Sequence, residues 1–134
     1  MPTVLFLCVA NSARSQMAEG LARAMAPPDH RFLSAGSRPG VVNPRAVAAL
    51  REEGIDISHH RSKGLDAVPL DQVDVVVTLC AEEVCPVLPG AQRQLHWPLP
   101  DPAAVQGSDQ DAREAFRQVR NRLKQLLPEL WTAQ

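Results

Sequence analysis

The sequence has 134 residues, 45% of them hydrophobic, and a formal net charge of −1 at pH 7. This length suits one hydrophobic core, so we expect a single domain over residues 1–134. The near-neutral charge gives no electrostatic case for nucleic acid or an anionic membrane. No run is long and apolar enough to cross a bilayer, and the N-terminus lacks the basic start of a signal peptide. We therefore expect a cytoplasmic protein.

The first 25 residues predict a strand, a turn and a helix. Residues 4–7 form a short apolar run that predicts a buried strand, and Cys8 follows it at once. From Ser15 onward the apolar residues recur at helical spacing, which predicts a helix with one buried face. That face would contain Met17, Ala18, Leu21, Ala22 and Met25.

Cys8 therefore lies on a strand-to-helix turn, where free backbone N–H groups and the helix dipole favour an oxyanion. Arg14 adds a planar guanidinium that can hold a tetrahedral oxyanion through two hydrogen bonds. Asn11 tolerates the left-handed backbone of a tight loop, and the Ser15 hydroxyl can donate to a sulfur. The alternative is that Cys8 is a small buried hydrophobic residue. The pattern favours a nucleophilic Cys8 of low pKa and an oxyanion loop of Val9, Ala10, Asn11, Ser12, Ala13, Arg14 and Ser15.

The rest of the chain alternates strands with helices. Helix starts are indicated by Asn43 before Pro44, in a helix ended by Gly54, and by Ser108 before the last helix. Residues 58–64 suggest a surface loop. Three more strands are predicted at residues 31–34, 73–79 and 92–97.

This alternation predicts an α/β fold, a four-stranded parallel sheet with helices on both faces. Ligands of such sheets bind beyond the C-terminal ends of the strands. Cys8, Cys80 and Asp101 all follow predicted strands. We therefore expect these three side chains to form one site.

The other two cysteines, Cys80 and Cys85, flank a segment that predicts a short turn or helix. They could be half of a zinc site, but no second pair of ligands stands at zinc-like spacing, so no metal is predicted. They could also be inert core thiols. A redox-active pair is favoured, because both cysteines lie just after a predicted strand that points toward the Cys8 loop. Three cysteines also do not suit a secreted disulfide framework, and thiols in a reducing compartment pair transiently.

Residues 8–15 (CVANSARS) resemble the anion loop of low-molecular-weight protein tyrosine phosphatases and of the arsenate reductases built on that fold. The continuation at residues 16–20 (QMAEG) is more similar to the reductases. The resemblance covers nearly the whole chain. Further matches are Ser34-Ala-Gly36, Asn43-Pro44, Asp56-Ile-Ser58, Val77-Thr-Leu-Cys80, His96-Trp97 and Asp101-Pro102.

The resemblance implies an arsenate reductase. Cys8 would attack arsenate, Asp101 would act as the general acid, and Cys80 and then Cys85 would resolve the intermediates. No bound cofactor is implied, and thioredoxin would be the external reductant, with glutaredoxin the alternative. Phosphate or sulfate would bind as arsenate analogues, and we expect a monomer.

Two other functions stay open at this stage. A thiolate beside an arginine also serves a phosphatase that acts through a phospho-Cys8 intermediate. However, a phosphotyrosine enzyme needs an aromatic wall, whereas the chain has no tyrosine and Ala103 follows Asp101-Pro102. A redox-inactive oxyanion-binding module is the third reading.

Two features depart from the family pattern, and the histidines have no part in the predicted reaction. In some related reductases the residues equivalent to Asn11, Glu19 and Ser34 help to hold potassium, with an aspartate where this chain has Lys63. We predict that the Lys63 ammonium replaces that cation. The Cys80–Cys85 separation is shorter than in the thioredoxin-coupled enzymes. The histidines, His30, His59, His60 and His96, are predicted to be surface or packing residues without a chemical role.

Overall fold

The computed structural model describes residues 2–81 and 93–132. Its sheet contains β1 (Thr3–Cys8), β2 (Arg31–Gly36), β3 (Val75–Thr78) and β4 (Arg93–His96). All three neighbouring pairs are parallel, and the strand order is β2-β1-β3-β4. The predicted four-stranded parallel sheet is confirmed.

The strand order creates a topological switch point at the end of β1. The chain runs from β1 to β2, which pairs with one edge of β1, and then to β3, which pairs with the other edge of β1. Loops leave in opposite directions at such a point and open a crevice beyond the strand ends. Cys8 is the last residue of β1 and therefore lies at this crevice.

The α-helices of the described residues pack on one face of the sheet. These are α1 (Arg14–Met25), α2 (Pro44–Arg51), α3 (Asp109–Leu126) and the short α4 (Glu129–Thr132). The first three pack on one another around the main core, which includes Phe6, Met17, Leu50, Val77, Phe116 and Leu123.

The opposite face is covered differently. Leu5, Leu7, Ala35 and Val76 form a second apolar cluster there. In the described ranges, two 3-10 helices, Leu65–Ala67 and Leu70–Gln72, cover this cluster. Leu65 and Leu70 pack against it, and Val68 and Val73, which follow the two helices, belong to it. In those same ranges, no helix is long and apolar enough to span a bilayer.

The predicted helix starts are correct. The Asn43 side chain accepts a hydrogen bond from the Arg45 N–H at 2.9 Å, and Pro44 is the first residue of α2. Ser108 forms a capping box with Asp111 at the start of α3. Each cap satisfies N–H groups that the first turn of a helix leaves unpaired.

Several predicted details differ. Met25 does not share the buried face of α1, because it lies in the last turn and is 37% exposed. The third strand is shorter than residues 73–79, because a 3-10 helix runs up to Gln72 and Leu79 already belongs to the departing loop. α2 ends at Arg51, three residues before Gly54. Residue 92, the predicted start of the fourth strand, lies outside the described residues.

Candidate active site

The loop from Cys8 to Ser15 is held in shape by hydrogen bonds to its carbonyl groups. Each carbonyl of residues 9–12 accepts from a donor outside the loop. A trans peptide points its N–H opposite to its C=O, so the amides of residues 10–13 face the concave side, next to the N-terminus of α1. The donors are the Arg38 N–H to Val9 O (2.8 Å), the Ser62 hydroxyl to Ala10 O (2.8 Å), the Gln16 amide to Asn11 O (3.2 Å) and the Asn43 N–H to Ser12 O (2.8 Å).

Gly36 lets β2 approach this loop closely. A Cβ atom on Gly36 would stand 2.5 Å from Val9 O and 2.8 Å from the Asn11 nitrogen. Both neighbours are backbone atoms, which cannot move aside without changing the loop. Gly36 also pairs with Gly64, and its N–H donates to Lys63 O at 3.0 Å. The loop therefore depends on a glycine at this position.

Asn11 has the left-handed backbone that was predicted for it, with φ of 50°. Its side chain is fully buried, and its Nδ2 donates to Ser15 Oγ at 2.7 Å. Its Oδ1 accepts from Gln16 Nε2 at 2.8 Å and from the Lys63 N–H at 2.9 Å. Asn11 thus fixes both the loop backbone and the Ser15 hydroxyl.

The Cys8 thiol is free and buried, and its Sγ lies 2.9 Å from Ser15 Oγ. Because Asn11 already donates to Ser15 Oγ, the Ser15 hydroxyl hydrogen is available to the sulfur. A hydroxyl donor and inward-facing amides both favour a negatively charged sulfur. This geometry agrees with the predicted role of Cys8 as the nucleophile.

Arg14 is the first residue of α1, and its side chain is buried. Its Nη1 donates to Leu99 O at 3.1 Å. Leu99 stands two residues before Asp101, which is partly exposed and accepts the Ala103 N–H at 3.0 Å through Oδ1. The arginine therefore links the oxyanion loop to the segment that carries the predicted acid.

Cys80 lies at the same edge of the sheet as Cys8. Leu79, just before it, donates its N–H to Leu7 O at 2.9 Å and accepts the Leu99 N–H at 3.1 Å. The Leu79 side chain lies in the core on the helical face. Cys80, the residue after Leu79, is buried, and Cys8 contacts α1 through Ser15.

The segment of residues 58–64 is a loop, as predicted, but it is not a simple surface loop. Its members hold the oxyanion loop from behind, through the Ser62 hydroxyl and the Lys63 N–H. Lys63 Nζ lies 3.7 Å from Glu19 Oε1 and 3.4 Å from Ser34 Oγ, and burial lowers the pKa of Lys63. Glu19, only 3% exposed, also accepts from Ser34 and pairs with Arg23.

Cys85 lies outside the described residues, so its pairing with Cys80 stays a prediction. Within residues 2–81 and 93–132, no group of three His, Cys, Asp or Glu side chains could hold a metal ion. Four residues of the site have no role predicted from the sequence: Gly36, Gln16, Ser62 and Leu99. Gln16 and Gly36 lie within the sequence motifs that carry the family resemblance, and this was the only sequence signal for a role of these two residues.

Comparison with known proteins agrees with this geometry. The family model described as low molecular weight phosphotyrosine protein phosphatase matches residues 3–134. An arsenate reductase of Halalkalibacterium halodurans is 43% identical over 90% of this chain and 88% of its own length. An arsenate reductase of Bacillus subtilis is 42% identical, over 91% of this chain and 92% of its own length.

Solved structures are similar as well. An arsenate reductase in the phosphate binding state superposes with a TM-score of 0.83 at 36% identity, over 97% of this chain and 96% of the other. A thioredoxin-dependent arsenate reductase of Corynebacterium glutamicum gives a TM-score of 0.74 at 30% identity, over all of this chain and 64% of the other. This chain therefore belongs to the low molecular weight phosphotyrosine protein phosphatase family, and the four relatives compared above are named arsenate reductases.

Proposed function

We propose that this protein reduces arsenate to arsenite through a relay of three cysteines, regenerated by thioredoxin. The observation that carries the proposal is the buried Cys8 thiol, hydrogen-bonded to Ser15 in a loop that also holds the buried Arg14. The named relatives support arsenate as the substrate. Phosphate or sulfate would occupy the same loop as an analogue.

The first step is nucleophilic. The Cys8 thiolate attacks arsenic and forms a sulfur–arsenic bond, and one arsenate oxygen leaves. Asp101 gives that oxygen a proton, so that it departs as water. Arg14 and the loop amides hold the remaining oxygens and stabilise the charge of the transition state. Arsenic is still pentavalent after this step.

The second step transfers the electrons. The Cys80 thiolate attacks Cys8 Sγ, and the sulfur–arsenic bonding pair stays on arsenic, which leaves as trivalent arsenite. A Cys8–Cys80 disulfide remains, so the two thiols have supplied the two electrons. This attack requires the two sulfurs to reach bonding distance, with the Cα atoms of Cys8 and Cys80 about 4.4–6.8 Å apart.

The third step returns Cys8 to its starting state. The Cys85 thiolate attacks Cys80, which releases the Cys8 thiolate and forms a Cys80–Cys85 disulfide. Thioredoxin then reduces that disulfide to two thiols. One solved relative is named thioredoxin-dependent, which supports this reductant over glutaredoxin. We propose that the enzyme acts as a monomer in the reducing cytoplasm.

A phosphatase would use the same loop, Arg14 and Asp101, and would need only water to release its product. Two features favour reduction. The chain has no tyrosine to wall a phenyl ring, and Ala103, which is exposed, follows Asp101-Pro102. Cys80 also lies buried at the same sheet edge as Cys8, where a phosphatase has no need of a second thiol.

The decisive experiment follows arsenate-dependent NADPH oxidation, with thioredoxin and glutaredoxin systems supplied separately. We expect turnover with thioredoxin and little hydrolysis of an aryl phosphate. Trapping then tests the order of attack. Cys85→Ser given arsenate should accumulate a Cys8–Cys80 disulfide, whereas Cys80→Ser should stop before any disulfide. Normal turnover of both variants with thioredoxin would contradict the relay and favour the phosphatase.

A further inference from the structure

We propose that His60 is a positioning residue for the nucleophile. It begins a chain of four hydrogen bonds, all donated in the same direction, which ends at the Cys8 sulfur. From the sequence alone, His60 is predicted to have no chemical role. The chain of hydrogen bonds concerns the thiolate itself, so it deepens the proposed function but can be tested without arsenate.

The chain crosses from the loop behind the site, through α1 and the oxyanion loop, to the end of β1. Each link is a short contact between side chains, and its central members, Gln16, Asn11 and Ser15, are fully buried. The four links are His60 Nδ1 to Gln16 Oε1 (2.9 Å), Gln16 Nε2 to Asn11 Oδ1 (2.8 Å), Asn11 Nδ2 to Ser15 Oγ (2.7 Å) and Ser15 Oγ to Cys8 Sγ (2.9 Å).

The surroundings of Gln16 fix the direction of the first two links. Gln16 Nε2 lies against three acceptors, the backbone oxygen of Asn11 at 3.2 Å, its Oδ1 at 2.8 Å and Arg61 O at 2.9 Å. A carbonyl oxygen in that place would be repelled by all three. The amide oxygen of Gln16 must therefore face His60, and His60 must donate from Nδ1.

The surroundings of Asn11 fix the other two links. Its Oδ1 also accepts the Lys63 N–H at 2.9 Å, so the oxygen cannot exchange places with Nδ2. The amide nitrogen then donates to Ser15 Oγ, and Ser15 has its single hydrogen left for Cys8. A sulfur that receives this hydrogen is stabilised as a thiolate.

His60 stays a donor whether it is neutral or charged. Burial lowers the pKa of His60, Glu19 opposes that shift, and Arg23, His59 and Lys63 add to it. The neutral ring must then carry its hydrogen on Nδ1 to satisfy Gln16, and the protonated ring carries one there as well. The ring also lines an open cavity of about 580 Å³ with Arg51 and Ser58.

The test measures the rate at which iodoacetamide alkylates Cys8 as a function of pH, in a Cys80→Ser/Cys85→Ser background. His60→Leu removes the donor at similar size. We expect the midpoint of the pH profile to move up by about half to one unit, as expected for one hydrogen bond, and alkylation at pH values below the midpoint to fall about threefold to tenfold. His60→Asn keeps a nitrogen donor near the Nδ1 position and should restore most of the rate.

His59→Leu is the matched control, since His59 is the exposed neighbour one residue earlier. It should leave the profile unchanged. Gln16→Met breaks the next hydrogen bond of the chain. If the hydrogen bonds act together, the effects of Gln16→Met and His60→Leu on the alkylation rate are not additive. Thermal unfolding checks that each variant is folded. The proposal is overturned by an unchanged profile in folded His60→Leu, by failure of His60→Asn to exceed His60→Leu, or by additive effects.

Discussion

The guanidinium of Arg14 donates a hydrogen bond to the carbonyl oxygen of Leu99 at 3.1 Å, across 85 residues of sequence. This contact ties the start of α1 to the segment that leads into Asp101. One nitrogen of the guanidinium is therefore engaged with the protein, and the orientation of the planar group is set before an anion arrives. Such preorganisation lowers the cost of binding and of reaching the transition state.

Replacing Arg14 by lysine should lower kcat/KM for arsenate by about 10²-fold or more. A lysine keeps the charge, but it loses the planar pair of donors and the fixed contact with Leu99. Arg38→Lys is the control, because Arg38 contributes to the loop through its backbone N–H. Steady-state kinetics of both variants checks this, and similar losses in the two would contradict it.

Asp101→Asn should lower kcat by about 10²- to 10⁴-fold, the usual contribution of a general acid. The amide oxygen can still accept the Ala103 N–H, so the local turn should survive. The inhibition constant of sulfate should change little, because the oxyanion loop is intact. If sulfate binding weakens in parallel with kcat, Asp101 acts in binding rather than in proton transfer.

Gly36→Ala should damage the oxyanion loop from outside. The added methyl group would meet backbone atoms of Val9 and Asn11 at 2.5 and 2.8 Å, closer than any Cβ contact allows. We expect at least about a tenfold loss of activity and a lower melting temperature, since overpacking a tight site costs about 1–3 kcal/mol.

Gly40→Ala is the control for this substitution. A Cβ there meets no atom within 4 Å. Differential scanning fluorimetry and initial rates should separate the two variants clearly. Equal behaviour would mean that the loop accommodates the methyl group.

The sequence was sufficient to predict the sheet and the loop because both depend on local patterns. Residues 4–7 are continuously apolar, and Cys8 follows them before a helix. Pro44 after Asn43 marks a helix start wherever it occurs. These signals act within a few residues, and tertiary packing did not override them.

The support behind the loop could not be predicted in the same way. Helical periodicity assigned one buried face to α1, yet every residue from Arg14 to Ala22 is buried, including the polar Gln16 and Glu19. Their partners His60 and Lys63 stand more than 40 residues away in a segment without periodicity. Only the folded chain brings them together.

The pH dependence of stability should reflect Glu52 at the end of α2. Hydrogen bonds from Arg117 and Arg120 of α3 lower the pKa of Glu52 to about 2. Because the folded pKa lies below the unfolded value, this contribution is full above the unfolded pKa and is lost as pH falls towards about 2. Glu52→Gln should therefore show a shallower loss of unfolding free energy between about pH 4.5 and about pH 2.

Urea denaturation at several pH values measures this slope. Glu129→Gln, in the exposed first turn of α4, is the control and should keep the slope of the unaltered protein. High salt should reduce the difference only in part, because direct hydrogen bonds are screened less than separated charges. Parallel slopes for the unaltered protein and Glu52→Gln would contradict the assignment.

Lys63 should make the enzyme indifferent to potassium. Its ammonium lies 3.7 Å from Glu19 Oε1, 3.4 Å from Ser34 Oγ and 3.3 Å from Arg61 O, so it already supplies a positive charge behind the loop. Activity in potassium chloride and in sodium chloride at equal ionic strength should agree. Lys63→Ala removes one of the positive charges that neutralise the buried Glu19 carboxylate, and it should lower the melting temperature by roughly 2–5 °C.

The reverse substitution tests the same idea more sharply. Lys63→Asp brings in the residue type that the family resemblance implies for a potassium site, and places a second carboxylate near Glu19. Two carboxylates, the Ser34 hydroxyl and a carbonyl oxygen are the ligands that a hard cation prefers. We expect Lys63→Asp to gain activation and thermal stability from potassium over sodium. Potassium activation of the unaltered protein, or none in a folded Lys63→Asp variant, would refute the substitution of an ammonium group for a bound cation.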